Sequence, residues 1–274
     1  DSPAIAISAQ HMSSLDLPHM PRTGSGGFDL YIGAGTEMKF VGGSWHAAGS
    51  ETVESLFFSD QPKEMHDCTI YFPLYQRVKT ASIGLAPGCK ILPPKPLTTK
   101  EPLVFYGSSI TQGACASKPG NAYISFVSRW LDANFISLGF SGGAKGRPLM
   151  AELIATMTMS VFIMDYDHNA WNSDHLRETH RPFFQTIRDA QPNLPVVFVT
   201  RPDFHEHQEE DQKRWDAVHD TYQAALEAGD KNVYFVDGKK LFGEDNRDAC
   251  TVDGCHPNDL GFYRMACGIA PAVR

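Results

Sequence analysis

Leu103-Val104-Phe105-Tyr106-Gly107-Ser108-Ser109-Ile110-Thr111-Gln112-Gly113 is an apolar strand that runs into a polar turn bounded by glycines. The pattern repeats downstream. Asn134–Leu138, Val161–Met164, Val196–Thr200 and Val233–Val236 read as further strands. Helical spacing fills the intervals, over Ala122–Leu131, Pro148–Met157, Leu176–Ala190, Gln208–Ala228 and Asn258–Ile269. Short apolar strands alternating with helices predict a parallel sheet covered by helices on both faces. This α/β/α reading applies to residues 103–274.

Upstream the style changes. Phe28–Gly33, Met38–Gly43, Cys68–Phe72 and Val78–Leu85 are short β-like runs broken by glycine, and no stretch there keeps a helical period. Such runs predict a small β-sandwich, jelly-roll-like, over residues 1–93. Four prolines between Leu92 and Pro102 predict a stiff linker at residues 94–102. Asp1–Ile7 already reads as the middle of a strand, the start expected of a chain trimmed from a longer protein.

Composition narrows the function. The chain has 274 residues, enough to bury a real core, with 42% hydrophobic and 20% charged residues, so wholesale disorder is not expected. The formal net charge is −8 and no Lys/Arg run occurs, which argues against nucleic acid or an anionic membrane as partner. Apolar stretches such as Pro195–Val199 are strand-length and too short to span a bilayer. Six cysteines without a C-x-x-C read as free thiols, which suits cytoplasm slightly better than secretion, although Cys250 and Cys255 flank one short loop and could pair. A homo-oligomer is compatible with this composition.

Ligands of a parallel open sheet bind at the carboxyl ends of its strands. Four polar segments stand there or at the last helix. They are Gly107–Gly113, Gly139-Phe140-Ser141-Gly142-Gly143, Asp165-Tyr166-Asp167-His168-Asn169, and Asp253-Gly254-Cys255-His256-Pro257-Asn258. A serine hydroxyl becomes a nucleophile when a base takes its proton. An aspartate three residues before a histidine can fix that base's tautomer from within one turn. The residues leave two candidate serines. Ser109 follows the first strand, and Ser141 lies in a G-x-S-x-G that also fits a nucleophile elbow.

In order and spacing, the four segments resemble the signature blocks of the SGNH (GDSL) hydrolase superfamily. The resemblance implies a flavodoxin-like hydrolase domain, with Ser109 as nucleophile and Asp253 and His256 as its D-x-x-H partners. It implies an oxyanion hole from the amides of Ser109 and Gly142 and the side chain of Asn169. Gly27-Phe28-Asp29-Leu30-Tyr31 resembles the G-x-D-L-Y signature of a β-domain that precedes one branch of these enzymes. Gly107-Ser108-Ser109 replaces the usual Gly-Asp-Ser, and Asp167-His168-Asn169 stands where Gly-x-Asn-Asp is usual. Against Ser141 stand the missing His-Gly-Gly-Gly-like segment and the tight Asp253–His256 spacing.

The implied activity is hydrolysis of a carboxylic ester through a seryl acyl-enzyme, with no cofactor and no metal. The expected substrate carries a small acyl group, such as acetyl, on a carbohydrate or polyol. An acyltransferase using the same triad, or a carbohydrate-binding protein with a vestigial site, are the alternatives. His168 and Trp171 are candidates for shaping the substrate pocket. Phe28, Asp29 and Tyr31 read as core and turn residues, and Cys115 as a buried thiol. His205-Glu206-His207 with Glu209, Glu210 and Asp211 could suggest a metal, but neighbours two apart diverge on a helix and acidic residues suit a helix start, so a solvated helix entrance is expected.

Overall fold

A computed structural model describes residues 1–202 and 208–274. The first part holds six strands. They are β1 (Ile5–His11), β2 (Asp29–Ile32), β3 (Lys39–Gly43), β4 (Thr52–Phe58), β5 (Cys68–Tyr71) and β6 (Val78–Leu85). They form two antiparallel three-stranded sheets, β4-β1-β6 and β3-β2-β5. Ile5, Ile7, Ala9, Val53 and Phe57 of the first sheet meet Leu30 of the second, and Phe28 just before it, in one buried cluster. This is the expected small sandwich. Strand β4 was not expected from sequence, because exposed Leu56 interrupts the alternation that Val53 and Phe57 begin.

The second part holds β7 (Thr99–Gly107), β8 (Ala133–Gly139), β9 (Val161–Asp165), β10 (Val196–Val199) and β11 (Val233–Val236). A short helix α1 (Arg22–Ser25) precedes them in the chain. Among and after them run α2 (Ser109–Gln112), α3 (Tyr123–Leu131), α4 (Pro148–Ala155), α5 (Ser173–Ala190), α6 (Gln208–Glu227) and α7 (Asp259–Val273). Strand β7 opens at Thr99, earlier than the Pro-rich span suggested. Its ladder with β8 steps from Thr99 to Leu103 across an irregularity, where Pro102 has no N–H to donate.

The five strands pair in parallel in the order β8-β7-β9-β10-β11. Counted along the chain this is 2-1-3-4-5, the flavodoxin-like order. Side chains alternate across it. Leu103, Phe105, Ile163 and Val197 face one layer with Val127 of α3 and Phe262 and Ile269 of α7. Val104, Tyr106, Phe162 and Phe198 face the other, with Ile154 of α4, Ile187 of α5 and Val218 of α6. The period of two in each strand thus builds a core on both faces of one sheet. The chain leaves β7 toward β8 on one side and returns to β9 on the other. The carboxyl ends of β7 and β9 are thus the switch point of the sheet, the place where such sheets hold ligands.

The sandwich is fastened to the segment that follows β7. Asp29 Oδ2 accepts the backbone N–H of Gly120 at 2.7 Å, and Gln112 Nε2 donates to the carbonyl of Leu74 at 3.1 Å. The Tyr31 ring packs within 2.7 Å of where a Cβ on Gly120 would stand, so only glycine fits there, and the Arg129 guanidinium lies over the same ring. Asp29 and Tyr31 are therefore junction residues as well as sandwich residues. No helix among the described residues is long and apolar enough to cross a membrane.

Candidate active site

Strand β7 ends at Gly107, where a Cβ would fall 2.3 Å from the carbonyl oxygen of Asp165 and 2.0 Å from Thr111 Oγ1. Only a glycine lets the chain turn there. Ser108 then caps α2, its hydroxyl accepting from the N–H of Ile110 at 3.1 Å. Ser109 begins the helix and is nearly buried, at 9% exposure. Gly113, at φ +103°, ends this single turn.

The Ser109 hydroxyl oxygen lies 2.9 Å from His256 Nε2. His256 Nδ1 lies 2.8 Å from Asp253 Oδ2. These three residues come from the end of β7 and the loop before α7, which are 147 positions apart at Ser109 and His256. The loop is closed locally. Thr251 and Pro257 form a β-bridge, the N–H of Val252 donates to the carbonyl of His256, and Gly254 turns at φ +86°. Asn258 then caps α7 through the N–H groups of Leu260 and Gly261. Partial burial pushes the Asp253 carboxyl upward. The backbone N–H and imidazole of His256, with the N–H of Cys255, outweigh it and bring the group down to about 2. Asp253 is thus ionised at neutral pH, and its carboxylate orients the Nδ1–H tautomer of His256. That tautomer leaves the Nε2 lone pair facing Ser109.

Ser141 is exposed in the loop after β8. Its N–H donates to Gln112 Oε1 at 3.0 Å and its hydroxyl lies by the Tyr75 phenol. No imidazole bonds it among the described residues, so the two serines differ in the one feature a nucleophile needs. Gly142 follows at φ +68° with open space where a Cβ would be. Neither the Gly142 N–H nor the Ser109 N–H bonds another described residue.

Asn169 closes a 3-10 turn, Asp167–Asn169, after β9, and is 8% exposed. Its Oδ1 accepts the N–H of Ala144 at 3.1 Å, which turns the side-chain NH2 the other way as an uncommitted donor. The turn itself is held from behind. Asp167 Oδ1 and its carbonyl bind Arg214 Nη1 at 3.2 and 2.8 Å, and Asp167 Oδ2 accepts the N–H of Arg201 at 3.1 Å. Arg214 also reaches Glu210 Oε1 at 3.1 Å and the carbonyl of Ala170 at 3.1 Å. Of the acidic residues at the start of α6, Glu210 therefore braces this turn and Asp211 pairs with Arg201 at 3.2 Å. His205, Glu206 and His207 lie outside the described residues.

His168 packs its Nδ1 3.8 Å from Sγ of Cys255, which lies in the Asp253–His256 loop. Trp171 is 72% exposed, its ring tilted at 45° to His175 with centroids 4.4 Å apart, and the Lys145 ammonium stands over the Trp171 ring at 5.8 Å from its centroid. The same Lys145 donates to the Asn169 carbonyl. The aromatic surface is therefore tied to the turn that presents Asn169. No disulfide joins any of the six cysteines, and Cys250 and Cys255 both stand as thiols. Burial, then the Asp253 charge, pushes the Cys115 thiol up to about 12, which makes it a poor nucleophile.

Three features escaped the sequence. Arg214 sits mid-helix among charges and carries no local signal. Tyr75 reaches the Ser109 carbonyl at 3.4 Å from the sandwich side. Asp165 lies buried beneath the Ser109 turn, where Thr111 Oγ1 and the Tyr123 phenol donate to its Oδ2 at 2.9 and 2.8 Å. Burial pushes Asp165 to about 7 despite these donors.

Comparison with known proteins agrees with this architecture. Residues 100–274 match the model of the GDSL-like lipase/acylhydrolase family, and residues 1–91 match that of the N-terminus of SGNH-hydrolase-type esterases. A Bacteroides ovatus protein assigned as a GDSL-like lipase is 32% identical over 99% of this chain and 81% of its own, with a TM-score of 0.89. A family two carbohydrate esterase from Clostridium thermocellum, solved with cellohexaose, shares the fold at 15% identity over 98% of this chain and 88% of its own (TM-score 0.70). A salicylyl-acyltransferase of a tetracycline biosynthetic pathway does so at 17% identity over 98% and 78% (TM-score 0.71). No curated protein matches. On the matched family model and the sheet order together, the chain belongs to the GDSL-like lipase/acylhydrolase family, with an SGNH hydrolase fold behind a small β-domain.

Proposed function

We propose that the protein is a serine esterase that removes a small acyl group, such as acetyl, from a carbohydrate or polyol. The observation that carries this reading is the continuous path from Ser109 Oγ to His256 Nε2 at 2.9 Å and from His256 Nδ1 to Asp253 at 2.8 Å. In the proposed reaction His256 takes the hydroxyl proton as Ser109 Oγ attacks the ester carbonyl. The amides of Ser109 and Gly142 and the NH2 of Asn169 receive the oxyanion. Collapse expels the alcohol, which leaves with the proton held by His256. Water then enters by the same base and releases the acid. Asp253 stays ionised throughout and stabilises the imidazolium.

The acyl-acceptor class rests on less. The exposed Trp171 offers a flat face beside the site, suited to a sugar ring. A carbohydrate esterase shares the fold, though fold alone does not transmit a substrate.

The test is hydrolysis of 4-nitrophenyl acetate and acetylated sugars by wild type, Ser109→Ala, Ser141→Ala and His256→Ala, each checked for folding. Loss in Ser109→Ala and His256→Ala with Ser141→Ala active supports the triad. Activity surviving in Ser109→Ala overturns it. Acetyl transfer to an added alcohol in preference to water would replace esterase by acyltransferase. Binding of sugars without any turnover would point to a vestigial site.

A further inference from the structure

His19 lies in the segment between β1 and α1, Cys115 follows α2, and His256 belongs to the loop before α7. One ligand atom from each of these three residues lies within 4.8 Å of the other two. The His19 and His256 rings are neighbours, with centroids 5.7 Å apart. His19 and His256 are half-buried and Cys115 is buried, so the cluster has a solvent side and a protein side. Cys115 is packed with Met20, Leu17 and Tyr75, and no hydrogen bond from a described residue engages its thiol.

Three atoms no more than 4.8 Å apart can all lie within about 2.8 Å of one point. Zinc bonds to imidazole at about 2.0–2.1 Å and to thiolate at about 2.3 Å. Side-chain shifts of about half an ångström at each residue would close the site. Two imidazoles and a thiol select a thiophilic or borderline divalent cation over Mg2+ or Ca2+. Three protein ligands leave a fourth position for water or for Ser109 Oγ.

We infer that His19, Cys115 and His256 form a binding site for a thiophilic divalent cation such as Zn2+, and that occupancy switches the esterase off. His256 Nδ1 is engaged by Asp253, so the ring atom left for the cation is Nε2, the one facing Ser109. A cation on Nε2 removes the base that the proposed reaction needs. Binding is an exchange: the S–Zn bond forms as the S–H bond breaks, the proton goes to solvent, and no electron moves. Removing the ion with a chelator returns the thiol and the imidazole unchanged. The inhibition half of this inference rests on the proposed role of His256, whereas the binding half does not.

The experiment compares wild type, His19→Ala, Cys115→Ala and Ser109→Ala. Zn2+ binding is measured directly by calorimetry, and 4-nitrophenyl acetate hydrolysis is followed against Zn2+ with and without EDTA. We expect wild type and Ser109→Ala to bind Zn2+ alike. We expect His19→Ala and Cys115→Ala to keep their basal rate but to need at least about tenfold more Zn2+ for half-inhibition, because each lacks one of three ligands. EDTA restores the wild-type rate. Equal Zn2+ affinity and equal inhibition in wild type and both ligand variants would overturn the site, since binding then lies elsewhere. Binding lost in those variants, in a wild type that hydrolyses no ester, would uphold the site and sink the esterase reading instead. His19 is half-buried in an irregular segment outside the packed core, so its variant remains informative if Cys115→Ala folds poorly.

Discussion

Asp29 and Gly120 are joined across 91 positions of chain by a 2.7 Å hydrogen bond from the glycine N–H to the aspartate carboxyl. Asp29 is 1% exposed. Burial raises its pKa to about 6, although the Gly120 N–H, Lys118 and Arg129 pull the other way. The folded state therefore holds a proton that the unfolded chain, near 3.9, gives up earlier. The contribution of Asp29 to stability is most favourable below about pH 4 and worsens as pH rises to about 6. A shift of this size is worth up to about 3 kcal/mol. Asp29→Asn keeps an acceptor for Gly120 and does not titrate. Urea unfolding from pH 4.5 to 7.5 should show that part of the wild-type slope vanish in Asp29→Asn. A variant with an unchanged slope would mean the charge is solvated.

Arg214 is the brace behind the Asn169 turn. It is 7% exposed, and its partner Asp167 is 1% exposed. Removing one member of such a pair leaves a buried charge and costs about 3–5 kcal/mol. Arg214→Ala should lower the urea midpoint strongly. Arg214→Lys should recover only part, because one ammonium cannot reach Asp167, Glu210 and Ala170 together.

Asn169 is tested by its side-chain NH2. If it donates to the oxyanion, Asn169→Ala should reduce kcat by roughly 10²–10³ and change KM little. A change confined to KM would assign the residue to ground-state binding.

Trp171 separates substrate classes. For an acetylated sugar, Trp171→Ala should raise KM about 2- to 10-fold, the worth of one stacking contact. For 4-nitrophenyl acetate it should leave kcat/KM near wild type. Equal losses on both substrates would place Trp171 in the structure of the loop.

Much of this was legible from residue order alone. The alternation of strands and helices sets the parallel sheet, and the polar segments after β7, β8 and β9 mark its carboxyl edge. Ser109, Asp253 and His256 stood out through the resemblance of their short blocks to a known family, since the residues alone left Ser141 beside Ser109. Asp29 could be seen in its motif, but its bond to Gly120 could not, since nothing in either segment records a partner so distant. Arg214 and His19 have the same difficulty in sharper form: an arginine in a charged helix and a histidine in an irregular segment look ordinary until the fold closes. Strand β4 was missed for a different reason, its period of two being blurred by an outward leucine.

The sandwich supplies Leu74 to Gln112, Tyr75 to Ser109 and Asp29 to Gly120, and all of these ties end on the segment that carries or follows the proposed nucleophile. For protein engineering the unit of exchange is then the whole chain. A catalytic half grafted onto a foreign β-module would carry its serine on an unbraced turn, and a library that recombines these enzymes should place its crossovers elsewhere than between residues 91 and 100.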